Sequence, residues 1–237
     1  MKPDFDQRQG TIQSPVQDNK TGLQLNTRGI TFSSPEQYLL ALTPTDQPVW
    51  VQRADEQTYS VSLTPGNQEM VAYLPPLTIH TLGSRSFQDT YHTRYAYYAG
   101  AMANGISSEE MIISLGMAGL MGSFGSGGLL PDRIEQAIHT IQTSLGNKPY
   151  AFNLLNSPNE PALEQKAVEL FIRYQVPVIE ASAYIALTPN LVWYRVSGLH
   201  RQLDGSIGSD HHVIAKVSRK EIAKRLLEPA SQEVVQR

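Results

Sequence analysis

From Tyr95 onward, short apolar runs alternate with small-residue loops and helix-like stretches, and this alternation restricts the fold more than any other feature of the chain. The first unit reads Tyr95-Ala96-Tyr97-Tyr98-Ala99, then Gly100-Ala101-Met102-Ala103-Asn104-Gly105, then a helix. A brief apolar run closed by glycine suits a strand buried on both faces. Gly100 and Gly105 bracket a loop that bends sharply or admits a group close to its backbone. Ser107 and Glu110 stand at the capping-box spacing, which predicts a helix over 107–115 ended by Gly116. The plan then recurs. Expected strands are 118–124, 150–155, 176–180 and 212–217. Expected helices are Pro131–Leu145, 161–174, a short one at 189–196, and 219–227 capped by Ser218. The helix from Pro131 places Ile134, Ala137, Ile138, Ile141 and Leu145 on one stripe and stops at Gly146. The polar stretch 200–211 reads as turns. Serial βα units build either a doubly wound sheet or a (β/α)₈ barrel. A barrel takes about 250 residues, and only about five units fit after residue 95.

The region before Tyr95 has another texture. Residues 1–30 form a polar lead-in. Residues 31–94 form a β-rich N-terminal subdomain and its connector, with runs at Tyr38–Leu42, Pro48–Gln52 and Met70–Leu74 and a stop at Pro75-Pro76. Composition excludes several function classes. A net charge of −3 with no Lys or Arg run offers no nucleic-acid footprint. The absence of cysteine removes disulfides, a thiolate nucleophile and a zinc-thiolate site, and fits a cytoplasmic protein. Met1–Asp6 lacks the apolar core of a signal peptide, and no apolar stretch reaches membrane-spanning length. Hydrophobic residues, at 41%, support a sizeable core.

Ligands of α/β sheets and barrels bind where the strands reach their carboxyl ends. Those ends carry Gly100-Ala101-Met102, the run Gly122 to Gly128, Asn153, Glu180 to Ala183, and Lys216. Small residues let a flat ring approach the backbone. The run to Gly128 either cradles a phosphate or serves as a loop; it matches neither the Walker nor the dinucleotide spacing. Asn153 inside an apolar strand pairs with a loop or with a ligand. Glu180 is either a base or a cap on a neighbouring loop, and the structural reading is favoured. Lys216 is costly in a buried strand unless it points out at the strand end. His211 and His212 are adjacent in a strand, so they face opposite ways and make a poor metal pair. Tyr91, Tyr95, Tyr97 and Tyr98 read as packing. No Gly-x-Ser-x-Gly elbow is present.

Tyr95–Asn104, Leu120–Gly128, Lys148–Leu154, Val178–Tyr184 and Val213–Val217 closely resemble the PfaD family, the trans-acting enoyl reductases of polyunsaturated fatty acid and polyketide synthases. More distantly they are similar to FMN-dependent bacterial enoyl reductases and nitronate monooxygenases. The resemblance implies an α/β fold of the TIM type, an FMN-binding (β/α) barrel over 95–237, incomplete at about five units. It implies reduction of enoyl chains carried by an acyl carrier protein, with NADPH or NADH as reductant. Carried over, Gly100, Ala101 and Met102 lie against the flavin ring, Asn153 hydrogen-bonds the ring or the ribityl chain, and Ala181, Ser182 and Lys216 line the same face. Ala101 stands where relatives often have glycine. The family's histidine falls beyond Arg237, so no catalytic residue is assigned. A truncated chain, or one completed by a second polypeptide, is therefore expected. The alternatives are a nitronate monooxygenase-like flavin oxidase and a non-catalytic interaction module of a synthase.

Overall fold

The computed structural model describes residue 43, residues 45–56 and residues 59–236. The lead-in 1–30 and the strand expected at Tyr38–Leu42 lie outside the described residues. The chain divides into two compact units between Leu77 and Thr78.

In the first unit, β1 (Val49–Arg53) sits between β2 (Tyr59–Ser62) and β3 (Met70–Leu74) in an antiparallel sheet. Val49 and Val61 are buried there, with Val51 and Leu63 packed beside them. β3 is exposed along its whole length. β2 was not expected, because its only aliphatic residue is Val61.

The second unit begins with α1 (Arg85–Tyr91), capped by the Ser84 hydroxyl. Then β4 (Tyr98–Ala99), α2 (Glu109–Met117), β5 (Met121–Phe124), α3 (Pro131–Leu145), β6 (Ala151–Leu155), α4 (Pro161–Arg173), β7 (Val178–Ser182) and α5 (Pro189–Ser197) alternate. A hairpin of β8 (Leu199–Arg201) and β9 (Ile207–Ser209) interrupts before β10 (His212–Ala215), α6 (Lys220–Leu227) and α7 (Gln232–Val235). The five major strands are parallel, in the order β10-β7-β6-β5-β4. They form a curled half-barrel, consistent with an incomplete TIM-type barrel.

Period-two alternation gives the sheet two different faces. Phe124, Phe152, Leu154, Ile179 and Ala181 face the helices and join Ile138, Ile141, Val168 and Phe171 in the main core. Phe152 centres it, with ring centroids 5.3 Å from Phe124 and 5.6 Å from Phe171. Met121, Ala151 and Val178 face the other way, where Phe87 and Tyr91 of α1 pack with Tyr98 and Ile214. A buried aromatic such as Phe152 contributes about 3–5 kcal/mol, judged by the cost of its truncation to alanine.

Several expectations need correction. The first strand is Tyr98–Ala99, not 95–99, because its neighbour β5 begins only at Met121, whose N–H reaches no further back than the Tyr97 carbonyl. The cap of α2 is Ser108, whose hydroxyl accepts from the Met111 N–H. Ser107 is unavailable for that role because its hydroxyl accepts from the Met102 N–H, at 2.9 Å, and closes the preceding loop. Gly116 lies inside α2 rather than at its end. Ser218 does not cap α6; Arg219 holds that position without a side-chain bond.

Candidate active site at the carboxyl ends of the strands

The inner face of the sheet turns polar one step above the Met121–Ala151–Val178 layer. Asn153 and Glu180 pair across β6 and β7, and Glu180 pairs with Ile214 across β7 and β10. Glu180 is fully buried. Its Oε2 accepts from the Tyr98 hydroxyl at 2.6 Å and from the Ala101 N–H at 3.1 Å. Its Oε1 accepts from Ser182 Oγ at 3.3 Å and from Lys216 Nζ at 3.0 Å. A buried carboxylate is tolerable only with such a complement of donors. Burial first, and the hydrogen bond to Glu180 second, push the Tyr98 phenol far above its ordinary range. Tyr98 therefore stays protonated and stays a donor.

Asn153 is 5% exposed and donates from Nδ2 to the Glu180 carbonyl, at 3.1 Å, and to Ser182 Oγ, at 2.8 Å. Its own carbonyl accepts from Ser126 Oγ. It ties β6 to β7 and to the loop that follows β5. Lys216 lies just past β10 with its side chain 51% exposed, and its Nζ also approaches the Ala101 carbonyl at 3.5 Å.

The structure thus brings Gly100, Ala101, Asn153, Ser182 and Lys216 around one buried carboxylate. Met102 follows on the same loop and is exposed. Ala181 does not join them. It faces the helices inside the main core, because adjacent strand residues point to opposite faces and Glu180 and Ser182 occupy the inner one. Sequence reasoning missed Tyr98 by reading it as packing, and saw Glu180 as structural without its partners. The available signal was the single ionisable residue in the otherwise apolar or small run Val178–Ser182.

The glycine-rich segment after β5 packs its backbone against the loop that follows β4. The Asn104 N–H donates to the Gly127 carbonyl and the Gly105 N–H to the Gly125 carbonyl, both at 2.8 Å. A Cβ on Gly125 would lie 1.8 Å from the Met102 carbonyl oxygen. Glycine is required because two loop backbones touch there. His211 is buried and stacks on Tyr194 at 4.6 Å, its Nδ1 2.9 Å from the Tyr194 carbonyl. Among the described residues, no group of three His, Cys, Asp or Glu side chains gathers as a metal would require. No helix of the described residues is long and apolar enough to cross a membrane.

No family model matches the chain. Over 162 residues it is 43% identical to the polyketide biosynthesis protein PksE of Bacillus subtilis (strain 168), covering 68% of this chain and 21% of that protein. It is equally identical, over the same length, to a polyunsaturated fatty acid synthase protein of Thraustochytrium sp., covering 68% of this chain and 11% of that one. Among solved structures, the enoyl reductase domain of MlnA, from the macrolactin cluster of Bacillus amyloliquefaciens, superposes with a TM-score of 0.64 at 40% identity, over 67% of this chain and 36% of that one. The chain is PfaD-like. It spans about a fifth of PksE and about a third of the MlnA domain.

Proposed function

We propose that this chain supplies part of an FMN-dependent enoyl reductase that acts in trans on enoyl intermediates carried by an acyl carrier protein of a polyketide or polyunsaturated fatty acid synthase. The observation that carries this reading is the 40% identity to the enoyl reductase domain of MlnA across the half-barrel. The proposed reductant is NADPH or NADH, and the proposed setting is the cytoplasm.

The residues present fit the ring of a flavin. A Cβ on Gly100 would lie 3.4 Å from Glu180 Oε2 and 3.8 Å from Lys216 Nζ. Glycine there leaves bare the surface over the carboxylate and the ammonium. Gly100, Ala101 and Met102 would lie against the ring, and Ser182 and Lys216 would offer a hydroxyl and a cation to its polar edge. Asn153 has both amide hydrogens engaged, so it would meet the ring through its Oδ1 acceptor. No phosphate is assigned to the glycine-rich segment, whose Gly125 and Gly127 carbonyls accept from the neighbouring loop and whose Gly125 N–H donates to the Ser107 carbonyl. When bound, FMN supplies two-electron chemistry, taking a hydride from the nicotinamide and delivering one to the β-carbon of the enoyl thioester. The chain's own share is to orient the ring and to hold a positive charge beside it.

The test begins with the visible spectrum of the purified chain after FMN is added and the excess removed. Retained flavin bands, followed by NADPH or NADH oxidation that depends on an enoyl thioester, are the expected result. Retained flavin with nitronate-dependent oxygen uptake and no enoyl reduction would favour the oxidase. A colourless chain would reject the reading for this polypeptide on its own.

A further inference from the structure

We infer that Glu180 is a positioning residue that fixes the Lys216 ammonium at the mouth of the strand ends, and this rests on the flavin site proposed above. The argument starts from topology. β4 and β10 are the two edges of the five-stranded sheet, with β7, β6 and β5 between them. Even so, one carboxylate on β7 bonds Tyr98 of β4, the Ala101 amide beyond β4, and Lys216 beyond β10. The curl of the sheet brings both edges onto Glu180, which binds them together.

The asymmetry of exposure shows which partner is held by which. Glu180 is completely buried, and Tyr98, Ala101 and Ser182 anchor it from three sides. Lys216 is half-exposed on a four-carbon stem that would otherwise sample many rotamers, at an entropy cost of up to about 2 kcal/mol when ordered. A rigid anion beneath a flexible cation sets where the cation sits. The Ala101 carbonyl at 3.5 Å defines a second direction for Nζ, which lies 3.8 Å from where a Cβ on Gly100 would stand. If Glu180 positions the ammonium, removing it releases Lys216 from a fixed place; if the other contacts of Lys216 suffice, stability changes and the place of the ammonium does not.

Two readouts on the 237-residue chain test this separately. The first needs no flavin. Lysines are reductively methylated with ¹³C, and the Lys216 signal is assigned by its loss in Lys216→Arg. Glu180→Gln is expected to narrow the Lys216 methyl signal towards the linewidth of the exposed lysines, because the ammonium is released from its anchor and samples its rotamers. Glu180→Asp keeps the charge but draws it back one methylene, so it should give an intermediate linewidth and serves if the Gln variant does not fold. A Lys216 signal equally ordered in both variants overturns the inference.

The second readout is the flavin midpoint potential, which a positive charge near the ring raises. Lys216→Met should lower it, and Glu180→Gln should lower it as well, because an ammonium released from its anchor no longer stands beside the ring. The double variant should match Lys216→Met, because Glu180 acts through Lys216. A double variant equal to the sum of the two single effects would overturn the inference, since Glu180 would then act on the ring directly. If the parent chain retains no flavin, the functional reading fails while the methyl-lysine linewidth still decides the role of Glu180.

Discussion

Asn153 separates a structural role from a ligand-binding one, and the geometry gives numbers for the test. Replacing it by alanine removes two hydrogen bonds from Nδ2, to the Glu180 carbonyl at 3.1 Å and to Ser182 Oγ at 2.8 Å. A hydrogen bond of this kind contributes about 1 kcal/mol net, and a buried acceptor left unpaired loses more. Asn153 is 5% exposed, so water does not readily replace the lost amide. The expected loss for Asn153→Ala is therefore about 2 kcal/mol. For a unit of this size that corresponds to a fall in Tm of roughly 4–8 °C. Asn153→Asp keeps the shape but turns both donors into an acceptor-only carboxylate facing a carbonyl and lying near Glu180. It should be worse than alanine at neutral pH and recover part of the loss in acid, where the new carboxyl can donate. Urea and thermal unfolding of the parent and both variants, with unchanged m-values, would measure this. A loss below about 0.5 kcal/mol for alanine, outside the range expected for a buried hydrogen bond, would refute the assigned wiring and return Asn153 to a role that only a ligand completes.

Gly125→Ala should cost about 3 kcal/mol, because its Cβ would meet the Met102 carbonyl at 1.8 Å and backbone cannot step aside. Hydrogen exchange should show the Asn104 and Gly105 amides losing protection together. At Ala183, whose φ is 62°, glycine should be tolerated within about 0.5 kcal/mol, since relieved strain and greater unfolded-state freedom offset each other. Valine there should cost about 2 kcal/mol by thermal unfolding. The Arg133 guanidinium, bonding Glu109 through both nitrogens, holds the Glu109 carboxyl below the usual range. Its contribution is then fully present above the unfolded-state carboxylate pKa and lost as pH falls through the lowered folded value. Glu109→Gln should flatten the acid limb of the stability curve and leave its neutral part lower by roughly 1 kcal/mol.

Helix α3 was legible in advance because its five buried residues keep helical spacing between Pro131 and Gly146. β6 and β7 were legible as apolar runs. The hairpin of β8 and β9 was not, because its strands carry Leu199, His200 and Arg201 against Ile207, Gly208 and Ser209, with no alternation to read. α1 was missed within the connector, although Ser84 and the Arg85–Asp89 pair four residues apart mark a helix start. Of the candidate site, the residue types at the strand ends were visible and their grouping was not. Glu180 and Tyr98 are 82 residues apart, and only the curl of the sheet joins them. Ala181 was the avoidable error, since alternation alone sets it on the face opposite Glu180 and Ser182.

The end of β7 shows how one backbone kink organises two buried carboxylates. Ser182 faces inward and donates to Glu180, the anion that Lys216 neutralises. Were the strand to continue, Tyr184 would point the same way as Ser182. Ala183 instead takes the left-handed conformation, and Tyr184 turns into the helix-side core to donate to Glu164 Oε1 at 3.0 Å. Glu164 carries no ion pair among the described residues. The Ser157 N–H and Asn190 Nδ2 complete its shell, and its place in the first turn of α4 adds the favourable end of a helix dipole. Glu180, in the middle of a strand, has no dipole to draw on and relies on a cation. That difference decides where a charge stands at the mouth. The carboxylate satisfied by neutral donors ties loops together on the outer side, and the one that needs a lysine holds a positive group over the inner face, where Gly100 leaves the surface open.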